Sequence, residues 1–328
     1  MNTTRWATRL VLADAFAALA VSCGPKQAAA PGAAKPEVKG KIGVTCMDLT
    51  NPFFKLIGNV MQEEAAKHGY EVVVLSGEMD PAKQNSQLAD FAAQGYDAIF
   101  LNPVDSESAG EGVKKAGAAG VPVFTYDVQV TDAEAHPYIV SHIGSDNYQG
   151  GRLAGESMMK VTGDQGKIAI INYPEVTSCI YRVKGFRDYL SENGSKLEIV
   201  TDLSGKGNRN DAYAVATDIL QAHPDIVGIF AINDPTGLGA CAAVAKAGRA
   251  EQITIIAFDA SPAGKQAVFE KKLYDSPQQF PRQMAVGTVE AFINYLNGEE
   301  VPKEIFIPCA HYYYEDAVND ESRIAEQW

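Results

Sequence analysis

The sequence predicts an α/β protein made of two similar lobes, each an open, doubly wound parallel sheet covered by helices on both faces. Three observations carry this expectation. From residue 41 onward, short β-rich apolar runs alternate with longer amphipathic stretches, the pattern of strands joined by crossover helices. The chain has 328 residues, and at about 150 residues per domain that is material for two hydrophobic cores. The alternation also falls into two comparable blocks, one before and one after about Gly144.

Taken in order, residues 42–46 give the first strand, and Pro52 opens a helix over 52–68 that Gly69 stops. Pro fits a first helical turn because its missing N–H has no partner there in any case, and Gly fits just past the end because it accepts a left-handed conformation. Residues 71–75 form the next strand, followed by a helix over 81–94 between Pro81 and Gly95. A strand over 98–102 leads to a helix over 106–119 between Ser106 and Gly120. Strands over 121–126 and 139–143 complete the first block. The second block opens on a helix over 148–161 before Gly163, a strand over 167–171 and a helix over 183–192 before Gly194. It continues with strands over 197–202, 226–232 and 254–259 and helices over 211–222 and 237–247, the latter ending at Gly248.

Composition narrows the function. Apolar residues at 46% and charged residues at 21% are globular values. A net charge of −13 has the wrong sign for gripping phosphate backbones, so no nucleic-acid partner is expected. At the amino terminus, Arg5 and Arg9 precede an apolar stretch over 10–21, too short to be a permanent span, which reads as an export signal over residues 1–22. The Ser22-Cys23-Gly24 junction is similar to a bacterial lipoprotein signal, which implies lipidation of Cys23. The Ala/Pro/Gly-rich residues 23–37 then form a flexible tether; cleavage nearby without lipidation is the alternative. The membrane is met only through that anchor. Cys46, Cys179, Cys241 and Cys309 show no paired spacing and are expected as free thiols. His68, His136, His142, His223 and His311 form no close ligand pair, so no metal is expected.

Ligands of open parallel sheets bind at the carboxyl ends of the strands. There, or just beyond, stand Asp48, Asn51, Asn102, Asp127, Glu175, Asn233 and Asp259, with Arg182 and Gln279 further along. Carboxylates, amides and a guanidinium form paired hydrogen bonds to vicinal hydroxyls, and Phe53 and Phe54 offer flat faces to the C–H side of a sugar ring. Each polar residue alone is more often a turn or cap residue. Their recurrence in both halves favours a polyhydroxy ligand. No nucleophile elbow, phosphate loop or nucleophile and base set is present. The Gly237 to Ala242 stretch fits a loose dinucleotide pattern but sits inside a first helical turn, so Gly237 and Gly239 read as close helix packing. No cofactor and no catalysis are expected.

In order along the chain, Asn51-Pro52-Phe53-Phe54, residues 82–87, Leu101-Asn102-Pro103, Thr125-Tyr126-Asp127, Ser141 to Asn147 with Gly150-Gly151, Arg182 to Phe186, Ala222 to Asp225, Phe230 to Asp234 and Phe258-Asp259 resemble the type I periplasmic sugar-binding proteins, nearest their ribose-binding cluster. The resemblance covers nearly all of residues 38–308. It implies a binding protein of an ABC importer that closes on one monosaccharide or small polyol or cyclitol, with a permease as partner and a periplasmic or cell-surface location. It also implies three chain crossings between the lobes, giving residues 38–144 with 280–308 as one lobe and 145–279 with 309–328 as the other. Carried over by position, the ligand contacts are Asn51, Phe53, Phe54, Asn102, Asp127, Arg182, Asn233, Asp259 and Gln279. A sensor that presents its closed state to a chemoreceptor or histidine kinase is the alternative function. Val128 departs from the family, where Arg usually follows the matching Asp. Val128 is therefore expected to form an apolar wall that disfavours ribose, with Asn208 or Arg209 able to replace the lost group.

Overall fold

The structure is a computed structural model that describes residues 38–321. The export signal over 1–22, Cys23, the tether to residue 37 and the tail from 322 lie outside the described residues.

The first block comprises β1 (Gly40–Cys46), α1 (Pro52–Lys67), β2 (Tyr70–Ser76), α2 (Pro81–Ala93), β3 (Ala98–Leu101), α3 (Gly110–Ala118), β4 (Val123–Tyr126) and β5 (Ile139–Ser145). The second comprises α4 (Asn147–Thr162), β6 (Gly166–Asn172), α5 (Thr177–Glu192), β7 (Leu197–Ser204), α6 (Arg209–Ala222), β8 (Ile226–Ala231), α7 (Asp234–Lys246), β9 (Thr254–Ile256) and α8 (Pro262–Phe269). Then come α9 (Pro281–Leu296), β10 (Glu304–Ile307) and α10 (Tyr314–Asn319). Two parallel sheets result, ordered β10, β5, β4, β3, β1, β2 and β7, β6, β8, β9.

Local chemistry sets where the helices start. Asn51, Asp80, Asn233 and Ser261 each accept a backbone N–H of the first turn, and each is followed within two residues by a proline at the helix start. Each sheet is covered on both faces. In the first, Phe292 of α9 meets Phe100 and Phe124 edge-on at 5.9 and 6.0 Å, while Leu88, Phe91, Ile99 and Val113 form the opposite core. In the second, Phe186 stacks on Phe230 with centroids 4.5 Å apart, and Ile219, Ile229 and Val244 pack on the other side.

The chain passes between the sheets at Asp146, at residues 278–280 and at residues 308–310. Gln278 N donates to Ala310 O at 2.6 Å, which ties the second and third passages together.

Some expectations need correction. The strand expected over 254–259 leaves its ladder after Ile256, because Ala257 and Asp259 donate instead to Asp275 O and Pro277 O at 3.0 and 2.9 Å. The helix expected from 106 begins at Gly110, because Asp105 holds Ser108 in a turn by accepting from its N and Oγ. The helix expected from 183 begins at Thr177, which puts Arg182 on α5. Cys46, Cys179, Cys241 and Cys309 are free thiols.

Candidate functional site

A cavity of about 540 Å³ lies at the carboxyl ends of both sheets. Its walls include Asn51, Phe53, Phe54 and Asp127 from the first block, Arg182, Asn233 and Asp259 from the second, and Gln279 from a passage between them. Helix starts supply much of this. Asn51 caps α1 and Asn233 caps α7, so each side chain sits where its strand ends because the next helix begins there. Asn233 also donates Nδ2 to Gly207 O at 3.0 Å, holding the loop that carries Lys206, Asn208 and Arg209 against the cavity. Phe53 and Phe54 meet edge-on, 5.3 Å apart, and present apolar surface.

Arg182 is the most constrained of these groups. Its Nε donates to Asn147 Oδ1 at 2.8 Å, and its Nη1 to Ile232 O at 2.7 Å and Asp259 Oδ1 at 3.2 Å. Its guanidinium carbon lies 3.9 Å from the centre of the Phe258 ring. Four residues thus fix one cation. Asp127 and Asp259 both adopt left-handed backbone conformations, with φ of 61° and 109°, a strain that the surrounding contacts must over-determine.

Burial pushes the Asp127 carboxyl up to about 7, against the opposing pull of Arg182 and the Asn102 hydrogen bond. Burial raises the Asp259 carboxyl as well, with Arg182 and Gln279 acting in the other direction. The Cys179 thiol is pushed up to about 12, chiefly by burial, and stays protonated. Among the described residues, no group of three His, Cys, Asp or Glu side chains is placed to hold a metal.

Three residues read from the sequence, Asn102, Val128 and Glu175, do not reach the cavity. Asn102 is fully buried beneath it, donating to Asp127 Oδ2 at 3.0 Å and accepting from Met47 N at 3.1 Å, so it positions a wall rather than forming one. Val128 is also fully buried and forms no wall. The left-handed Asp127 reverses the chain, Val128 N donates back to Tyr126 O at 2.7 Å, and its side chain joins the hydrophobic core. Glu175 is exposed, and its carbonyl accepts from Ser106 N. Gly237 and Gly239 do serve close packing, since a Cβ on either would press on Ala257 or on Arg209 O.

The cavity also has walls the sequence reading missed: Met79, Tyr173, Ser178 and Cys179. Cys179 stands one helical turn before Arg182, a spacing that marks a shared face once α5 is known to begin at Thr177. Met79 is apolar, and Tyr173 and Ser178 bring hydroxyls to the wall.

Comparison with known proteins gives consistent matches. A family model described as a periplasmic binding protein domain matches residues 42–300. The ribose import binding protein of Escherichia coli (strain K12) is 34% identical over 264 residues, 80% of this chain and 87% of that protein. Among solved structures, an ABC transporter solute-binding protein from Agrobacterium vitis with bound D-fucose is 28% identical with a TM-score of 0.80, covering 88% of this chain and 99% of that one. Another, from Bacillus halodurans C-125 with bound myo-inositol, is 26% identical with a TM-score of 0.79, covering 89% and 100%.

Proposed function

The chain belongs to the type I periplasmic sugar-binding proteins of ABC transporters, and on that premise we propose that its cavity captures one monosaccharide, small polyol or cyclitol and delivers it to an ABC permease. It is a binding protein, not an enzyme, and its family works in the periplasm. The observation that carries the reading is that hydrogen-bonding groups from both sheets, Asp127 on one side and Arg182 and Asp259 on the other, line one cavity beside two phenyl faces. A ligand touching both sides stabilises only the closed arrangement, which drives closure. In the same reading the lobes are residues 38–144 with 280–308 and residues 145–279 with 309–328. Cys23 carries the lipid anchor, which mass spectrometry of the mature protein tests.

A thermal-shift screen of sugars, polyols and cyclitols tests the reading. A true ligand at about 100 times its Kd adds roughly 2.7 kcal/mol of stability. With that ligand, Arg182→Ala weakens affinity at least about tenfold by titration calorimetry, because charge-assisted hydrogen bonds are worth roughly 1.5–3 kcal/mol. Unchanged affinity in the variant removes Arg182 from the site.

A further inference from the structure

The turn between β2 and α2 holds a backbone conformation that its residues do not favour. Glu78 and Met79 are consecutive and both left-handed, with φ of 54° and 57°, a region that side chains other than Asn and Asp rarely occupy. The rest of the turn imposes it. Gly77 N donates to Cys46 O at 2.7 Å, Met79 N to Met47 O at 3.0 Å and Asp80 N to Gly77 O at 3.0 Å, and Asp80 then caps α2. Strain of this kind persists where neighbouring contacts over-determine it, and it gathers at ligand clamps. Here it brings one side chain to the ligand site: Met79 lines the cavity and is 43% exposed.

The wall that Met79 joins is apolar in what it offers a ligand. Met47, tied to Met79 through the backbone, lines the cavity as well, and Pro52, Phe53 and Phe54 continue the same side. Its polar groups are committed to one another. The Asp48 carboxylate accepts from Thr50 N at 2.9 Å and from Thr50 Oγ1 at 2.7 Å, and Asn51 Oδ1 accepts from Phe53 N at 3.0 Å. Asp127, Arg182 and Asp259 are buried, whereas Met79 is exposed, so hydrogen bonding belongs to the floor of the cavity and the thioether to its mouth. A C–H or methyl group gains from contact with such a wall, and a hydroxyl placed there exchanges water for no partner.

We propose that Met79 is a specificity-determining residue, which selects a neutral ligand whose outer end is a methyl or methylene group rather than a hydroxyl: a deoxysugar, deoxypolyol or deoxycyclitol. This rests on the reading of the cavity as a sugar or polyol site. The strained turn fixes where the Met79 backbone stands, and the unbranched, polarizable side chain adapts to the group it covers. An apolar wall rejects an added hydroxyl only moderately, so the preference it creates is roughly tenfold to a hundredfold.

Titration calorimetry with matched pairs tests this: D-fucose beside D-galactose, L-rhamnose beside L-mannose, 6-deoxy-D-glucose beside D-glucose, 5-deoxy-D-ribose beside D-ribose, L-fucitol beside L-galactitol, and scyllo-quercitol beside scyllo-inositol. In at least one pair the deoxy compound binds about tenfold or more tighter than its hydroxylated partner. Two variants separate the side chain from the turn. Asn accepts a left-handed backbone, so Met79→Asn and Glu78→Asn both keep or raise stability in chemical denaturation. In Met79→Asn, which puts an amide at the wall, the preference falls to about threefold or less, while Glu78→Asn keeps it. Hydroxylated partners that bind as tightly as the deoxy compound, or more tightly, in every pair overturn the inference and leave the sugar reading standing. A preference that survives Met79→Asn, or that Glu78→Asn abolishes equally, overturns it too. If no member of any pair binds, the sugar reading falls and the inference with it.

Discussion

Asp234 does not line the cavity, yet it shares the electrostatics of the site. It is fully buried at the start of α7, where its Oδ2 accepts from Ser261 N at 2.6 Å and its Oδ1 from Ser276 Oγ at 2.7 Å. Burial, with the nearby Asp259 charge, pushes its carboxyl from 3.8 up to about 7. The folded state therefore binds more protons than the unfolded state between about pH 4 and 7, so this group's contribution to stability falls as pH rises through that window. In chemical denaturation, wild type loses stability relative to Asp234→Asn by roughly 1 kcal/mol per pH unit between pH 5 and 7, and the difference levels off above that. Parallel curves for the two proteins would show that Asp234 is already ionised at pH 5. At this scale the sequence was a good guide to which polar residues gather, because a strand end is a position that alternating runs reveal. It could not tell Asn102 from Asp127: both follow a short buried strand, and only the left-handed turn at Asp127 puts one at the wall and the other behind it.

Helices α4 and α5 place Arg182, and two glycines set how closely they cross. A Cβ on Gly151 would lie 2.1 Å from Arg182 O, and one on Gly185 would lie 2.0 Å from Tyr148 O, so both contacts are with backbone that cannot rotate aside. Asn147 at the start of α4 then reaches Arg182 Nε. Gly151→Ala forces the helices apart, costs roughly 1–3 kcal/mol in denaturation, and weakens ligand binding because the guanidinium moves with α5. Gly163→Ala is the control: its φ of 63° makes the change costly, but nothing lies within 4 Å of the added Cβ, so stability falls and affinity holds. Equal losses of affinity in both variants would separate the crossing from the site. Most long elements were legible from Pro, Gly and periodicity, whereas β10, α8 and α10 were not, nor was the 16-residue α9 despite Pro281 at its start. β10 has four residues, alternates exposed with half-buried positions and forms a sheet edge, so it has neither the length nor the apolar run that marks a central strand. The apolar stretch after Ile256 looks like strand because a sequence shows burial and not which neighbour takes the hydrogen bonds.

At the scale of the whole molecule, the closure proposed above would draw on contacts beside the cavity as well as on the ligand. Ser106 N of the first block donates to Glu175 O at 3.3 Å, Thr177 N at the start of α5 donates to Ser106 Oγ at 3.1 Å, and Gln129 N donates to Thr177 Oγ1 at 3.0 Å. These three bonds join the two blocks, and in the proposed reading they favour the closed arrangement. A protein whose competent state is partly populated binds with an apparent Kd raised by that fraction, and loosening the clasp should therefore weaken binding although no wall residue changes. Thr177→Val removes one hydroxyl acceptor and Ser106→Ala another. Each net hydrogen bond is worth about 1 kcal/mol, so the double variant loses about tenfold or more in affinity if its ligand-free form shifts fully toward the open state, and less if the shift is partial. Small-angle scattering separates this from damage to the site. In wild type, ligand lowers the radius of gyration; in the double variant, the ligand-free radius is larger and saturating ligand brings it to the same closed value. An Arg182→Ala protein has the opposite profile, with a ligand-free radius like wild type and weak binding. A double variant whose radius matches wild type without ligand would mean that the clasp forms only as a consequence of binding.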